Sequence, residues 1–129
     1  MGLLHALTTN RAFTDPEADD PRLRERGYAV PFAEVWAAAL DIAQKTPGWT
    51  VTSSDPRAGE IVAEATTRLW KFTDDVWIRV SLDEEGQTRV KMTSASRKGG
   101  GDLGTNARRI ARFLRSLDGR LFGSTRANR

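Results

Sequence analysis

Apolar residues recur along this chain with two different spacings, and each spacing predicts a different kind of element. After Pro31 they return every third or fourth position, which is typical of an amphipathic helix that ends at Pro47 and Gly48. The apolar face of this helix is Phe32, Val35, Trp36, Ala39, Leu40 and Ala43. The same spacing returns near Asp102 or Thr105 and predicts a second helix, with the stripe Leu103, Ala107, Ile110, Leu114, Leu117 and Leu121.

Between the two helices, apolar and polar residues alternate, which predicts β-strands. Four segments have this pattern, at residues 48–53, 60–70, 75–82 and 87–94, and the short turns between them favour an antiparallel meander. Alternation also assigns faces, because successive strand residues point to opposite sides of a sheet. The inward set is Val76, Ile78, Val80, Leu82, Val90 and Met92, and the outward set is Arg68, Trp70, Trp77, Arg79, Arg89 and Lys91.

The order helix, four strands, helix predicts an α+β fold. Two amphipathic helices can cover one face of a four-stranded antiparallel sheet, which gives a two-layer sandwich. We expect a single domain over residues 31–121. Residues 1–30 are rich in charge and are interrupted by Pro16 and Pro21, so we expect an extended N-terminal arm there, and residues 122–129 are expected to form a frayed tail.

Composition narrows the classes of site and location. The 129 residues include no cysteine and one histidine, His5, so we expect no metal site and no cofactor. A formal net charge of +3 permits an anionic partner without requiring one. No apolar run is long enough to span a membrane, and the first residues lack the pattern of a signal peptide, so a soluble cytoplasmic protein is expected.

The stretch from Ser94 to Ile110 is the first candidate for a functional site. Gly99, Gly100 and Gly101 permit a tight turn from the last strand into the second helix, and Asp102 or Thr105 can cap that helix. Exposed N–H groups at such a turn, flanked by Arg97 and Lys98, are suited to a phosphate or a carboxylate. The alternative is that Asp102 itself occupies the turn, so that these residues only join strand to helix.

Two adjacent acids, Asp74 and Asp75, are the second candidate. Neighbouring strand residues point to opposite faces, so they do not form a catalytic dyad, and one of them is expected to pair with Arg97 or Arg79. Ser94 and Ser96 have no histidine or lysine base at a recognisable spacing, so catalysis is not supported.

The arginines of the second helix form a further candidate. Arg108, Arg112 and Arg115 make a basic ridge of the kind that usually faces solvent. Arg109 differs, because it lies close to the start of the helix and could reach back to Asp102 or Asp75.

Several of these segments together are similar to a known family. The stretch S-A-S-R-x-G-x-x-D-L-G-x-N-x-x-R-I resembles the signature of the domain-of-unknown-function family 1499, and F-T-D-D-V-W-I-R-V resembles its second motif. Two further segments, T-D-P-x-x-x-D-P-R-L-R and Y-x-V-P-F-x-x-V-W, also resemble its members. The resemblance implies no activity, since the family is named for lacking one. It carries over the motif positions Asp74, Asp75, Ser94, Ser96, Arg97, Gly99, Asp102, Gly104, Asn106, Arg109 and Ile110.

Three functional hypotheses follow from these residues. The first is a non-enzymatic binding module that takes a small anionic ligand or a protein partner at the polar Asp/Arg/Asn site. The second is a structural protein in which the Asp/Arg network specifies the fold, and the sheet face and the arm serve a homodimer. The third is a single-stranded nucleic-acid binder that uses the outward residues Trp70, Trp77, Arg79, Arg89 and Lys91.

Overall fold

The computed structural model describes residues 11–68, 71–97 and 103–127, so Trp70, Gly99 and Asp102 lie outside the described residues. The order of elements in it is strand, strand, helix, four strands, helix, with a short 3-10 turn at Pro21–Leu23. The helices are α1 (Phe32–Lys45) and α2 (Leu103–Ala127). The strands are β1 (Arg11–Phe13), β2 (Arg26–Tyr28), β3 (Trp49–Asp55), β4 (Glu60–Thr66), β5 (Thr73–Leu82) and β6 (Thr88–Ser96).

One antiparallel sheet contains all six of these strands, in the spatial order β1-β6-β5-β4-β3, with β2 also paired to β6. The meander of β3 to β6 is the expected one, and the α+β class is confirmed. The expected count of four strands is wrong, because β1 and β2 lie end to end along the outer side of β6. Ala12 and Tyr28 on these strands are only 8% and 3% exposed, so the expected extended arm contributes two strands that pack as part of the sheet.

The core lies between the sheet and the two helices. Alternate residues of β4, β5 and β6 are buried, as the period of a strand requires, and they meet one stripe of each helix. The fully buried residues include Val35, Ile61, Ile78, Ile110 and Leu114. Of the predicted inward residues, Leu82 is the exception at 60% exposed, because it is the last residue of β5, next to the turn into β6.

Two predicted boundaries differ from the structure. β4 ends at Thr66, whereas the pattern predicted a strand over residues 60–70, so Arg68 lies beyond the strand. The final helix continues to Ala127, so residues 122–127 are helical where a frayed tail was expected. Gly119 within this helix meets no neighbouring atom at the position of a side chain, and α2 continues past it.

Candidate functional site

A cluster of buried polar side chains lies where β5 and β6 face the first turns of α2. Asp74 on β5 is 4% exposed, and Ser94 on β6 and Asn106 on α2 are fully buried. Their burial follows from strand register, because Asp74 lies opposite Ser96 and Ser94 lies opposite Val76, on the side of the sheet that the helices cover. We call Asp74, Ser94, Ser96, Asn106 and Arg109 the buried polar network.

Arg109 is the centre of the buried polar network. Its Nη1 donates hydrogen bonds to Asp74 Oδ2 at 2.8 Å, Asn106 Oδ1 at 2.9 Å and Ser94 Oγ at 3.0 Å. The hydroxyl of Ser94 donates to Asn106 Oδ1 at 2.7 Å, and Asn106 Nδ2 donates to Ser96 Oγ at 3.0 Å. Within the described residues, every buried side-chain nitrogen or oxygen atom has a hydrogen-bond partner. The network is therefore fully satisfied, as a buried polar cluster must be to avoid a large desolvation cost.

The other edge of the Arg109 guanidinium reaches solvent. The hydrogen bonds of its side chain all come from Nη1, and Nε and Nη2 donate to no described residue. Among the described residues, every side-chain nitrogen that lacks a hydrogen-bond partner is in contact with solvent. Nε and Nη2 of Arg109 therefore reach water, although the side chain as a whole is only 12% exposed. Arg109 is thus fixed on one edge and available on the other.

Arg97 belongs to a second, separate cluster on the open face of the sheet. Its Nη2 lies 2.6 Å from Glu64 Oε2 and 2.8 Å from Asp75 Oδ1, and all three side chains are substantially exposed. Glu64 and Asp75 are directly opposite in the register of β4 and β5, where two like charges repel, and the guanidinium bridges them. The hydrogen bonds that Arg97 donates to Asp75 and then to Glu64 raise the pKa of Arg97 above its ordinary value.

The two acids of the motif therefore lie on opposite faces, as alternation predicts: Asp74 is buried and Asp75 is exposed. Arg97 pairs with Asp75, one of the two acids expected to have an arginine partner. Arg109 pairs with Asp74 and not with Asp75, because its position on α2 faces the inward side of β5. Its expected alternative partner, Asp102, lies outside the described residues, as does Gly99, and Gly104 lies in the first turn of α2.

Arg109 also lines a cleft of about 680 Å³ between α2, the end of α1 and the adjoining ends of β3 and β4. We call it the arginine cleft, because Arg108, Arg109 and Arg112 line it. The described residues that line it include these three arginines and no carboxylate. Four hydroxyl groups also line it, from Thr46, Thr66, Thr105 and Ser116.

The sequence pattern did not reveal this cleft. The sequence places Arg108 and Arg112 only in a basic ridge, and the contributions of Thr46 and Trp49 depend on the packing of distant segments. One signal was present in α2, where Arg109, Arg112, Phe113 and Ser116 have the spacing of a single helical face. This face combines two arginines with a buried aromatic ring, and it lies beside the apolar stripe of α2 that packs in the core. That combination is the sequence signal for the cleft.

The residues of the open face of the sheet support a binding site less well than the residues of the arginine cleft do. Trp77 donates a hydrogen bond from Nε1 to Glu60 Oε2 at 2.8 Å, and Arg89 donates from Nε to Asp83 Oδ2 at 2.9 Å. Arg79 and Lys91 are exposed. Two of the expected nucleic-acid contacts are thus engaged by carboxylates of the chain itself.

In the part of the chain that the structure describes, no group of three or more acidic or histidine side chains is placed to bind a metal ion. No helix within the same residues is both long enough and apolar enough to cross a membrane.

Fold and site together define a small α+β protein with an arginine anchored in a buried polar network beside an open cleft. A family model described as "Protein of unknown function (DUF1499)" matches residues 3–117, which is most of the chain. The chain therefore belongs to this family, and the resemblance seen in its motifs is confirmed. No curated protein matches it.

Proposed function

We propose that this chain is a non-enzymatic binding module that takes an anionic group in the arginine cleft. The observation that carries the proposal is the geometry of Arg109, whose Nη1 is fixed by three hydrogen bonds while Nε and Nη2 reach solvent. Arg112 lines the same cleft, and no carboxylate among its described lining residues competes for it. An anion that enters meets the solvent-facing edge of Arg109 and the charge of Arg112 without first displacing an acidic side chain from either.

The anchoring of Arg109 favours binding energetically. Immobilising a long side chain on binding costs about 0.5–1.5 kcal/mol. In Arg109 this cost is incurred during folding, because Asp74, Ser94 and Asn106 fix the guanidinium before any ligand binds. A planar guanidinium with two free donors on one edge matches the spacing of two oxygens in a carboxylate or a phosphate. The negative charge of Asp74 offsets the charge of Arg109, so Arg112 supplies excess positive charge to the site.

The lining favours binding over catalysis. General acid–base chemistry needs a group that exchanges a proton near neutral pH, whereas arginine stays protonated and hydroxyl groups need an adjacent base. Among its described lining residues the cleft offers arginines, hydroxyls and apolar side chains. These residues can orient an anion, and they do not supply a proton acceptor.

The test is a titration of the full chain with inorganic phosphate, followed through the backbone amide resonances of residues 104–116 by NMR. Sodium chloride at equal ionic strength is the control for screening. We expect saturable shifts with phosphate alone, and an affinity about fivefold lower in Arg112→Gln, which corresponds to about 1 kcal/mol. Arg115→Gln is the matched control, because Arg115 is exposed on the same helix and does not line the cleft. Shifts that are linear and equal for both salts would contradict the proposal.

A second candidate is a structural role, in which the buried polar network specifies the fold. It is supported by the full hydrogen bonding of Asp74, Ser94, Asn106 and Arg109, since complete satisfaction is what a fold-specifying network requires. The two candidates separate in the phosphate titration. The structural role alone predicts no saturable shift in residues 104–116, however strongly Asp74 contributes to stability.

A further inference from the structure

The floor of the arginine cleft is apolar. Ile42, Ala65 and Phe113 line it and are only 8%, 2% and 3% exposed, so they form its base. Trp49, half-buried at the start of β3, stacks on Phe113 with ring centroids 5.7 Å apart and an interplanar angle of 5°. The exposed Arg108 and Arg112 lie at the rim. The cleft thus combines an aromatic wall with a cationic edge.

The size of the cleft exceeds the needs of an inorganic anion. Its volume of about 680 Å³ lies within the range of about 300–1,000 Å³ that is typical of sites for small organic molecules. A single phosphate ion beside Arg109 would leave most of this space to water, including water against the apolar floor. Replacing that water by an apolar surface is favourable, so the unfilled part of the cleft adds affinity only for a ligand with an apolar body.

We propose that the ligand is an anionic amphiphile, a small organic molecule with a carboxylate, sulfonate or phosphate group on a flat apolar body. This inference rests on the proposed function, and it adds the chemistry of the rest of the ligand. The anionic group binds the free edge of Arg109 and the charge of Arg112. The apolar body packs against Trp49 and the floor at Phe113. The two parts support each other, because an apolar body excludes water from the guanidinium groups and strengthens their attraction to the anion.

The test uses two fluorescent probes that differ in charge. Anilinonaphthalene sulfonate has a sulfonate on a naphthalene ring, and N-phenylnaphthylamine is its neutral counterpart. We expect the sulfonate probe to bind the full chain with one-to-one stoichiometry, at least about tenfold more tightly than the neutral probe, and to be displaced by inorganic phosphate. Arg112→Gln is expected to lower the affinity for the sulfonate probe about fivefold, whereas Arg115→Gln leaves it unchanged.

The aromatic wall has its own test. Trp49→Phe retains a ring against Phe113 and removes the tryptophan nearest the bound naphthalene. At saturating probe, we expect energy transfer from tryptophan to the bound probe to fall. Unchanged energy transfer would place the probe elsewhere and overturn the inference.

The results for the two proposals remain distinguishable. If phosphate gives saturable NMR shifts but the neutral probe binds as tightly as the sulfonate, the inference about the ligand fails and the anion site stands. The inference also fails if phosphate does not displace the sulfonate probe, or if Arg112→Gln and Arg115→Gln bind it equally. If neither phosphate nor the sulfonate probe binds, both proposals fail together.

Discussion

At the scale of single residues, the two adjacent acids of the motif have different environments and contribute differently to the free energy of unfolding. Asp74 is buried against Arg109, so removing either partner would leave an uncompensated charge in a poorly hydrated position. Asp75 is exposed beside Arg97, where water already solvates both groups and the ion pair adds little stability. The sequence predicts that the two acids lie on opposite faces. It does not identify Arg109 as the partner of Asp74, because that contact joins residues 35 positions apart.

The first prediction compares Asp74→Ala with Asp75→Ala. We expect Asp74→Ala to lower the free energy of unfolding by about 3 kcal/mol or more, because it leaves Arg109 without its buried counter-charge. Asp75→Ala is expected to change it by less than about 1 kcal/mol, as is usual for an exposed ion pair. Urea unfolding of both variants measures the difference. Equal losses of unfolding free energy in the two variants would show that the burial of Asp74 does not determine its contribution to stability.

A second prediction concerns Tyr28, the chain's single tyrosine. Burial and then its hydrogen bond to Asp118 Oδ1 at 2.6 Å raise its pKa well above the ordinary tyrosine value of 10.0. Since the folded state disfavours tyrosinate, the stabilisation is complete below pH 10.0 and is lost as the pH rises further.

Tyrosinate absorbance measures this shift directly. The native protein is expected to show almost no tyrosinate at pH values slightly above 10.0, and urea at the same pH is expected to release the signal. Tyr28→Phe provides the baseline. Ionisation of the native protein with a midpoint near 10.0 would contradict the assigned contact with Asp118.

At the scale of elements, the period of the apolar residues predicts both helices and the meander β3 to β6. It does not predict β1 and β2, because three-residue strands are too short to show alternation. Their place is fixed by distant contacts, since both strands pair with β6 and, just after β1, the backbone N–H of Thr14 donates to Met92 O at 2.9 Å. Because such contacts join residues that lie far apart, 78 positions in the case of Thr14 and Met92, no single segment of the sequence predicts them.

The third prediction concerns the turn between β3 and β4. Gly59 has a φ of +70°, and a Cβ there would lie 1.9 Å from the carbonyl oxygen of Val80, whose N–H donates to Gly59 O at 2.7 Å. Gly59→Ala therefore adds a backbone clash to an unfavourable φ, and we expect a loss of more than about 2 kcal/mol.

Gly86 provides the matched control for this prediction. Its φ is +81°, but a Cβ there would have no neighbour within 4 Å, so Gly86→Ala is expected to lose only about 1 kcal/mol through its φ. Thermal or urea unfolding of the two variants checks the contrast. A Gly59→Ala protein as stable as Gly86→Ala would show that the β3–β4 turn moves away from Val80 at little cost.

At the scale of the whole molecule, the candidate site exists only because six elements converge. The end of α1, the adjoining ends of β3 and β4, and the first half of α2 enclose the arginine cleft, while β5 and β6 supply the acid and hydroxyl that anchor Arg109 from behind. The motif Ser94 to Ile110 identifies from sequence the part of this arrangement that β6 and the start of α2 contribute. The other part, including Trp49 and Thr46, lies far away in the chain and has no recognisable motif.

The most direct test of the anion site follows the Arg109 guanidinium itself. In the 1H–15N NMR spectrum, the Nε–Hε resonance of this anchored side chain is identified by its loss in Arg109→Lys. We expect inorganic phosphate to shift it saturably, with the same dissociation constant as the amides of residues 104–116, because Nε is free to donate to the anion. An Nε–Hε resonance that stays unmoved while phosphate reaches saturation elsewhere, or that responds equally to chloride, would contradict the account.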